Sequence, residues 1–268
     1  MTAAAIEPVV PGGERRSTRF AVAHDMAVVT RRNLKRIRRT PSLLAASTIQ
    51  PILFVLLFRY VFGGSIHVPG VNYVDYLMPG IFINTTLFGA TTAVAMASDL
   101  AGGMIDRFRS LPMARSAVLA GRCIADLIRS VLVVALILIV GTLIGFRFHN
   151  GVLPALAAMG LVLVFGFSFM WLFALVGMLV KDPETAQLAS FVPLFPFLFA
   201  SSIFVPVQNM PGWLQAFARN QPVSVTADTV RALSNGGPVA HVAWQSGAWI
   251  VGFIVVFSWL AVRAYRQI

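Results

Sequence analysis

Leu43 to Phe62, LLAASTIQPILFVLLFRYVF, runs for twenty residues with one charged side chain, Arg59. At about 1.5 Å of rise per residue, such a segment wound as a helix spans a hydrocarbon layer of roughly 30 Å. What precedes it is opposite in character. A polar start, EPVVPGGERRSTR, and a dense basic block lead into the apolar run, which is not the pattern of a cleaved secretory leader, so the run is expected to stay as an anchor. The rest of the chain repeats the theme. Of its 268 residues, 57% are hydrophobic and 12% charged, more apolar surface than a soluble domain of this size needs for its core. The composition predicts an all-α membrane protein.

Five further apolar segments follow: Tyr76 to Ala97, Ile128 to Phe146, Val152 to about Val180, Ala186 to Val205, and about Ala243 to Val262. Pro193 and Pro196 remove backbone donors from the segment over 186–205 and are expected to kink or interrupt it. Six crossings put both termini on one side, and charge tests that count. With a cytoplasmic N-terminus, the inner segments hold Arg15, Arg16, Arg19, Arg31, Arg32, Lys35, Arg36, Arg38 and Arg39, then Arg107, Arg109, Arg115, Arg122 and Arg129, then Lys181, then Arg263 and Arg266. These are 17 of the 21 Lys and Arg residues, leaving Arg59, Arg147, Arg219 and Arg231 outside. The positive-inside rule then predicts both termini in the cytoplasm and accounts for the net charge of +11 without nucleic acid.

The polar segments have their own patterns. Residues 1–18 are expected to be a disordered leader. Over 19–40, Met26, Val29, Leu34 and Ile37 form an apolar edge among basic residues that include Arg31 and Arg32, which suits an amphipathic helix on anionic headgroups; a disordered basic leader is the competing reading. Residues 41–268 form the transmembrane domain. Between the second and third apolar segments, Asp99, Asp106 and Asp126 alternate with Arg107, Arg109, Arg115 and Arg122 over more residues than a connection needs. The residues alone leave two readings open: a solvated loop whose charge sets topology, or short helical elements that meet a partner protein. In VKDPETAQ, Asp182 before Pro183 and Glu184 in the first turn mark a helix start. Between Pro206 and Val242, NMPG, RNQP and SNGGP isolate WLQAFA and VSVTADTVRAL, pieces too short to cross and suited to an interfacial or re-entrant hairpin.

Polar groups within the spans, Asn84, Thr85, Thr86, Thr91, Thr92 and Gln50, need partners in a bundle or a wet cavity. Helix–helix bonding is the ordinary role and substrate contact the other. The aromatic runs Phe165 to Phe173 and Phe191 to Phe199 either pack or line a path for an apolar molecule. The candidate path residues are Phe82, Asn84, Thr85, Thr86, Phe169, Phe191 and Phe195. The spans hold no carboxylate relay, which argues against proton coupling. The single Cys123 and four scattered histidines offer no disulfide and no metal-ligand spacing. A P-loop needs glycine before its lysine, whereas Lys35 follows Leu34 and Lys181 follows Val180. No hydrolytic motif is present either, so any energy must come from nucleotide chemistry on another polypeptide.

The order of RRTPSLLAASTIQPILFVLLFRYVFGG, YVDYLMPGIFINTTLFG, GGMIDRFRSLPMARSAVLAGR, LVGMLVKDPETAQ and IFVPVQNMPGWLQAFARNQPVSVTADTVRAL resembles the membrane subunit of a type-2 ABC exporter, in particular the daunorubicin-resistance-like permeases of actinobacteria and their relatives. The resemblance covers about Ala27 to Val262. It implies a six-helix half-transporter in the bacterial cell membrane that pairs with a second permease copy, or a homologous permease, and with two cytoplasmic ATP-binding subunits. ATP and Mg would sit on those subunits, and this chain would bind no cofactor and catalyse nothing. The ATPase-coupling candidates so implied are Arg31, Arg32, Asp106, Arg107, Arg109, Arg115 and Arg122. The outer re-entrant hairpin, Pro211 to Leu233, would carry Trp213, Arg219, Asn220, Gln221, Pro222, Asp228 and Arg231. The implied cargo is an amphiphilic drug, antibiotic or lipid, moved outward by alternating access among membrane lipids. Export of a lipid-linked polysaccharide by the same architecture, and a non-transporting membrane assembly protein, are the alternatives.

Overall fold

The computed structural model describes residues 41–64, 66, 70–87, 90–102, 115–180 and 182–267. The expected leader, the amphipathic helix over 19–40 with Arg31 and Arg32, and Asp106, Arg107 and Arg109 lie outside them. Among the described residues there is no strand, and every regular element is a helix. Helix α1 spans Pro41–Leu56 and runs on into six residues of π winding, Leu57–Phe62. Then follow α2 (Tyr73–Leu87), α3 (Ala90–Ala101), α4 (Arg115–Ile144), α5 (Val152–Val180), α6 (Pro183–Phe199), α7 (Gly212–Asn220), α8 (Pro222–Asn235) and α9 (Ala240–Gln267). Four stretches, Tyr73–Ala101, Gly121–Ile144, Val152–Val180 and Ala240–Tyr265, are long and apolar enough to cross a membrane by length and composition.

Helix α5 is the axis of the bundle and packs against α2, α3, α4, α6, α8 and α9. Phe165, Phe169 and Phe173 form its buried face, and Phe169 stacks on Phe253 of α9 with centroids 4.8 Å apart. Glycines admit the neighbours to the backbone. A Cβ at Gly166 would lie 2.5 Å from Thr86 Cβ, and one at Gly177 would run into the Ala93 carbonyl. Such small residues bring helices close in a medium where the hydrophobic effect does not drive them together. The periphery is apolar in a different sense. Trp244, Val251, Val255 and Trp259 recur along α9 at helical spacing and are all exposed, as expected of a face that meets hydrocarbon rather than water.

Helix ends are satisfied locally. Asp182 caps α6: the Thr185 amide (2.8 Å) and hydroxyl (2.6 Å) both donate to its Oδ2, which holds this exposed carboxyl below its ordinary pKa. The prolines expected to interrupt this helix do not; α6 passes through Pro193 and Pro196 and stops at Phe199, short of Val205. Buried Leu194 and Leu198 hold it in place, and its last carbonyls find other donors: Ala200 N to Pro196, Ser201 Oγ to Leu198, and Gln221 Nε2 to Phe197. Helix α4 starts at Arg115, well before Ile128, because the charged residues of its first turns pair with one another and with α3.

Candidate functional site

Two polar clusters sit at opposite ends of the bundle. The first joins α8 to α2 and to the turn after α6. Arg231 Nε donates to the Tyr76 carbonyl (2.9 Å), Nη1 to Asp228 Oδ1 (2.7 Å) and Ser202 Oγ (3.0 Å), and Nη2 to the Ser202 (2.6 Å) and Ile203 (3.1 Å) carbonyls. The guanidinium also lies 3.8 Å over the Tyr76 ring. Tyr76 Oη donates to the Ser202 carbonyl and Tyr73 Oη to that of Phe204. One turn along α8, Asn235 Nδ2 donates to the Asp75 carbonyl (3.1 Å). That carbonyl is free because Pro79, four residues on, has no N–H to offer it. The clamp therefore occupies a gap that the α2 proline creates.

The rest of the hairpin is tied to the same cluster. Gln221, 3% exposed, donates to the Phe197 and Ala200 carbonyls and accepts from Val223 N, which places Pro222 as the buried first residue of α8. The Ser202 amide donates to Ser224 Oγ (3.0 Å). Helix α7 is the outlying arm: Trp213 and Phe217 are exposed, Arg219 Nη2 donates to Gln215, and Trp249 Nε1 of α9 donates to the Asn220 carbonyl (3.1 Å).

The second cluster joins the end of α3 to the start of α4, on either side of residues 103–114. Arg122 Nη1 meets Asp99 Oδ2 at 3.0 Å, and its Nε lies 3.7 Å from Asp126 Oδ2. Arg129 Nε lies 3.8 Å from Asp126 Oδ1, and Thr92 Oγ1 donates to Asp126 Oδ2 at 2.8 Å. Asp126 and Arg129 are buried. Among the described residues, two acids and two bases thus gather within an apolar wall of Met96, Cys123, Met170, Trp171, Met178, Ala261 and Tyr265. The sequence reading chose Arg122 but not Asp99, Asp126 or Thr92. The signal was there, since Arg122, Asp126 and Arg129 stand at i, i+4 and i+7, one face of a helix. Arg115 is described only as the first backbone position of α4.

The path candidates separate into two groups. Phe82, Asn84, Thr86 and Phe169 are enclosed within the chain, and Phe82 meets Phe146 edge-on at 5.7 Å. The Thr85 and Thr86 hydroxyls donate back to the Ile81 and Ile83 carbonyls of their own helix. Among the described residues, fully buried Asn84 has no hydrogen-bond partner for either amide atom. Phe195 is instead exposed on α6 and stacks on Phe199 at 5.2 Å, while Phe191, partly buried against the core, meets Phe195 edge-on at 5.8 Å. Among the described residues no three His, Cys, Asp or Glu side chains gather as a metal site.

A helical bundle with an apolar exterior, polar clusters at both ends and a tied-down helical hairpin defines a membrane permease. The family model described as ABC-2 type transporter matches residues 24–234, and the chain belongs to that family. It is 33% identical over 271 residues, covering 98% of its own length and 93% of the relative's, to the daunorubicin resistance ABC transporter permease protein DrrB1 of Streptomyces coeruleorubidus. It is 26% identical to the probable doxorubicin resistance ABC transporter permease protein DrrC of Mycobacterium tuberculosis, over 95% of this chain and 92% of that one. A putative transport permease, ycf38 of Cyanophora paradoxa, is 24% identical over 85% of this chain and 78% of the relative.

Proposed function

We propose that this permease is the membrane half of an ATP-driven exporter of amphiphilic drugs of the daunorubicin and doxorubicin kind. The observation that carries the reading is the end-to-end similarity to a daunorubicin resistance permease. In this reading α1 and α6 complete a set of six crossings with the four long apolar stretches; α6, at 17 residues, covers about 26 Å. Both termini and the Asp126 cluster face the cytoplasm, and the Arg231 cluster with the α7–α8 hairpin lies on the outer side, re-entering the membrane. The charge division along the sequence supports that orientation.

ATP and Mg belong to two copies of a cytoplasmic ATP-binding subunit, and a second permease, identical or homologous, completes the pathway. Motion of those subunits reaches the bundle through the segment flanked by Asp99 and Arg122, where Asp106, Arg107, Arg109 and Arg115 stand with Arg31 and Arg32 as coupling residues. Phe195, exposed on α6, and its partly buried neighbour Phe191 are the substrate-contact residues this reading favours, with Asn84 and its neighbours deeper in the bundle. The test is transport into inside-out vesicles containing the permease and its ATP-binding partner. ATP-dependent accumulation of daunorubicin or doxorubicin, lost in a Walker-lysine variant of the partner, is the expected result. A stable complex that moves neither compound with ATP would refute the drug-export reading.

A further inference from the structure

Arg59 stands apart from the other arginines at the Arg231 end. Arg147 donates through Nη1 to the Thr142 and Phe146 carbonyls, Arg219 to Gln215, and Arg231 to its cluster. Among the described residues, Arg59 has no hydrogen bond, ion pair or ring contact, although its Nε is sealed from solvent. Guanidinium cannot shed its charge in a protein, so a half-sequestered one without an anion is held at a cost. It sits within the π winding Leu57–Phe62, a local departure from α geometry that recurs at functional positions. Gly63 closes this turn, since a Cβ there would run into the Arg59 carbonyl.

The surroundings say what kind of partner fits. Phe58 points inward and stacks on Phe204 with centroids 4.4 Å apart, whereas Tyr60 is 71% exposed; Arg59 lies between these directions. Ile49, Leu53, Leu56 and Leu57 stand at i, i+4, i+7 and i+8 and are all exposed, forming an apolar stripe that leads along α1 to Arg59 and Tyr60. A charge at the end of an apolar stripe, beside an amphipathic ring, is the complement of a lipid headgroup above its acyl chain. A second copy of this chain is poorly equipped to supply the anion. With the orientation proposed above, the outer carboxylates are Asp75 and Asp228. Asp75 is buried and accepts the Arg147 amide, while the Asp228 side chain is 45% exposed but its Oδ1 already accepts from Arg231 and Ser202.

We propose that the outer end of α1 binds a resident phospholipid, its phosphodiester on the Arg59 guanidinium and an acyl chain along Ile49, Leu53 and Leu56. The inference rests on the outward placement of this end but not on what the transporter carries. The test titrates lipid into the full permease purified with its ATP-binding partner, without ATP, reading bound lipid by native mass spectrometry. The probes are phosphatidylglycerol and an uncharged diacylglycerol glucoside. Arg59→Gln is expected to weaken phosphatidylglycerol binding about tenfold and leave the glucoside unchanged, with Arg59→Lys in between. Equal phosphatidylglycerol binding by wild type and Arg59→Gln, or equal loss of both lipids, would overturn the site. So would disulfide trapping of Leu53→Cys pairs in native membranes at full yield, which would show a second permease covering the stripe.

A separate measurement tests the orientation. Tyr60→Cys in a Cys123→Ser background should react with a membrane-impermeant maleimide on intact cells. Labelling only after permeabilisation would overturn the outward placement and this lipid assignment with it. Failure of drug transport with the lipid discrimination intact would refute only the export reading.

Discussion

The two polar clusters use the same residue types and are built differently. Around Arg231 the guanidinium donates five hydrogen bonds, three of them to backbone carbonyls, so that one side chain joins α8, α2 and the turn after α6. Around Asp126 there are two acids, two bases and a hydroxyl, with one close ion pair and two at 3.7 and 3.8 Å. The first cluster is over-determined and suits a fixed strut. The second is a group of opposite charges whose pairings can be exchanged among several partners, which suits a junction that has to shift when the flanking segment is pulled. Rigid pairing to backbone and exchangeable pairing among side chains are two ways of keeping charge in an apolar bundle.

The comparison predicts graded effects. Asp126→Ala removes the buried carboxylate that Arg122, Arg129 and Thr92 share and should be the most damaging, by about 3–5 kcal/mol. Thermal unfolding of the detergent-solubilised complex reads this, and a loss below about 1 kcal/mol would show that the cluster is not buried charge in the native assembly. Arg231→Ala strips carbonyls of a charged donor and should cost roughly 1.5–3 kcal/mol. Arg231→Lys should restore little, because an ammonium cannot bridge the carbonyls of α2 and of the turn after α6 as the fork does. Full restoration by lysine would reduce the strut to simple charge.

Smaller effects test the packing beside each cluster. Gly80→Ala next to Ile203 and Gly177→Ala next to Ala93 both press a methyl on a backbone carbonyl and should each cost about 1–3 kcal/mol. If the Asp126 end is the adaptable one, Gly177→Ala should be the milder of the two. The smallest effect concerns the α6 cap. The Asp182 pKa is lowered in the folded chain, so its contribution is complete at neutral pH and is lost as pH falls through that lowered value. Amide exchange at the start of α6 should therefore quicken in acid for the wild type, whereas Asp182→Asn should flatten that dependence.

Much of the helical content was legible because each long apolar run carries its own reason to be a helix: a bilayer accepts no unpaired backbone. The α6 start at Asp182 and the two short pieces after Pro206 were equally plain, since caps and breakers act locally. The α6 end was not. Its carbonyls are satisfied by Gln221 and Ser201, and only folding back of the hairpin brings Gln221 there. Asn84 and Phe169 read as lining from their chemistry yet lie inside the chain, because burial depends on which neighbours close over a helix.

The sequence by itself determined that the chain is a helical membrane protein, since composition and apolar run length are properties each segment carries alone. Tertiary structure decided that Arg231 and Asn235 grip the α2 carbonyls beside Pro79, that Asp99, Arg122, Asp126 and Arg129 share one enclosure, and that Arg59 was left without a partner among the described residues. Residues 155 and 160 positions apart meet in the first case. No local propensity encodes such a meeting; it follows from how glycine-lined helices stack around α5.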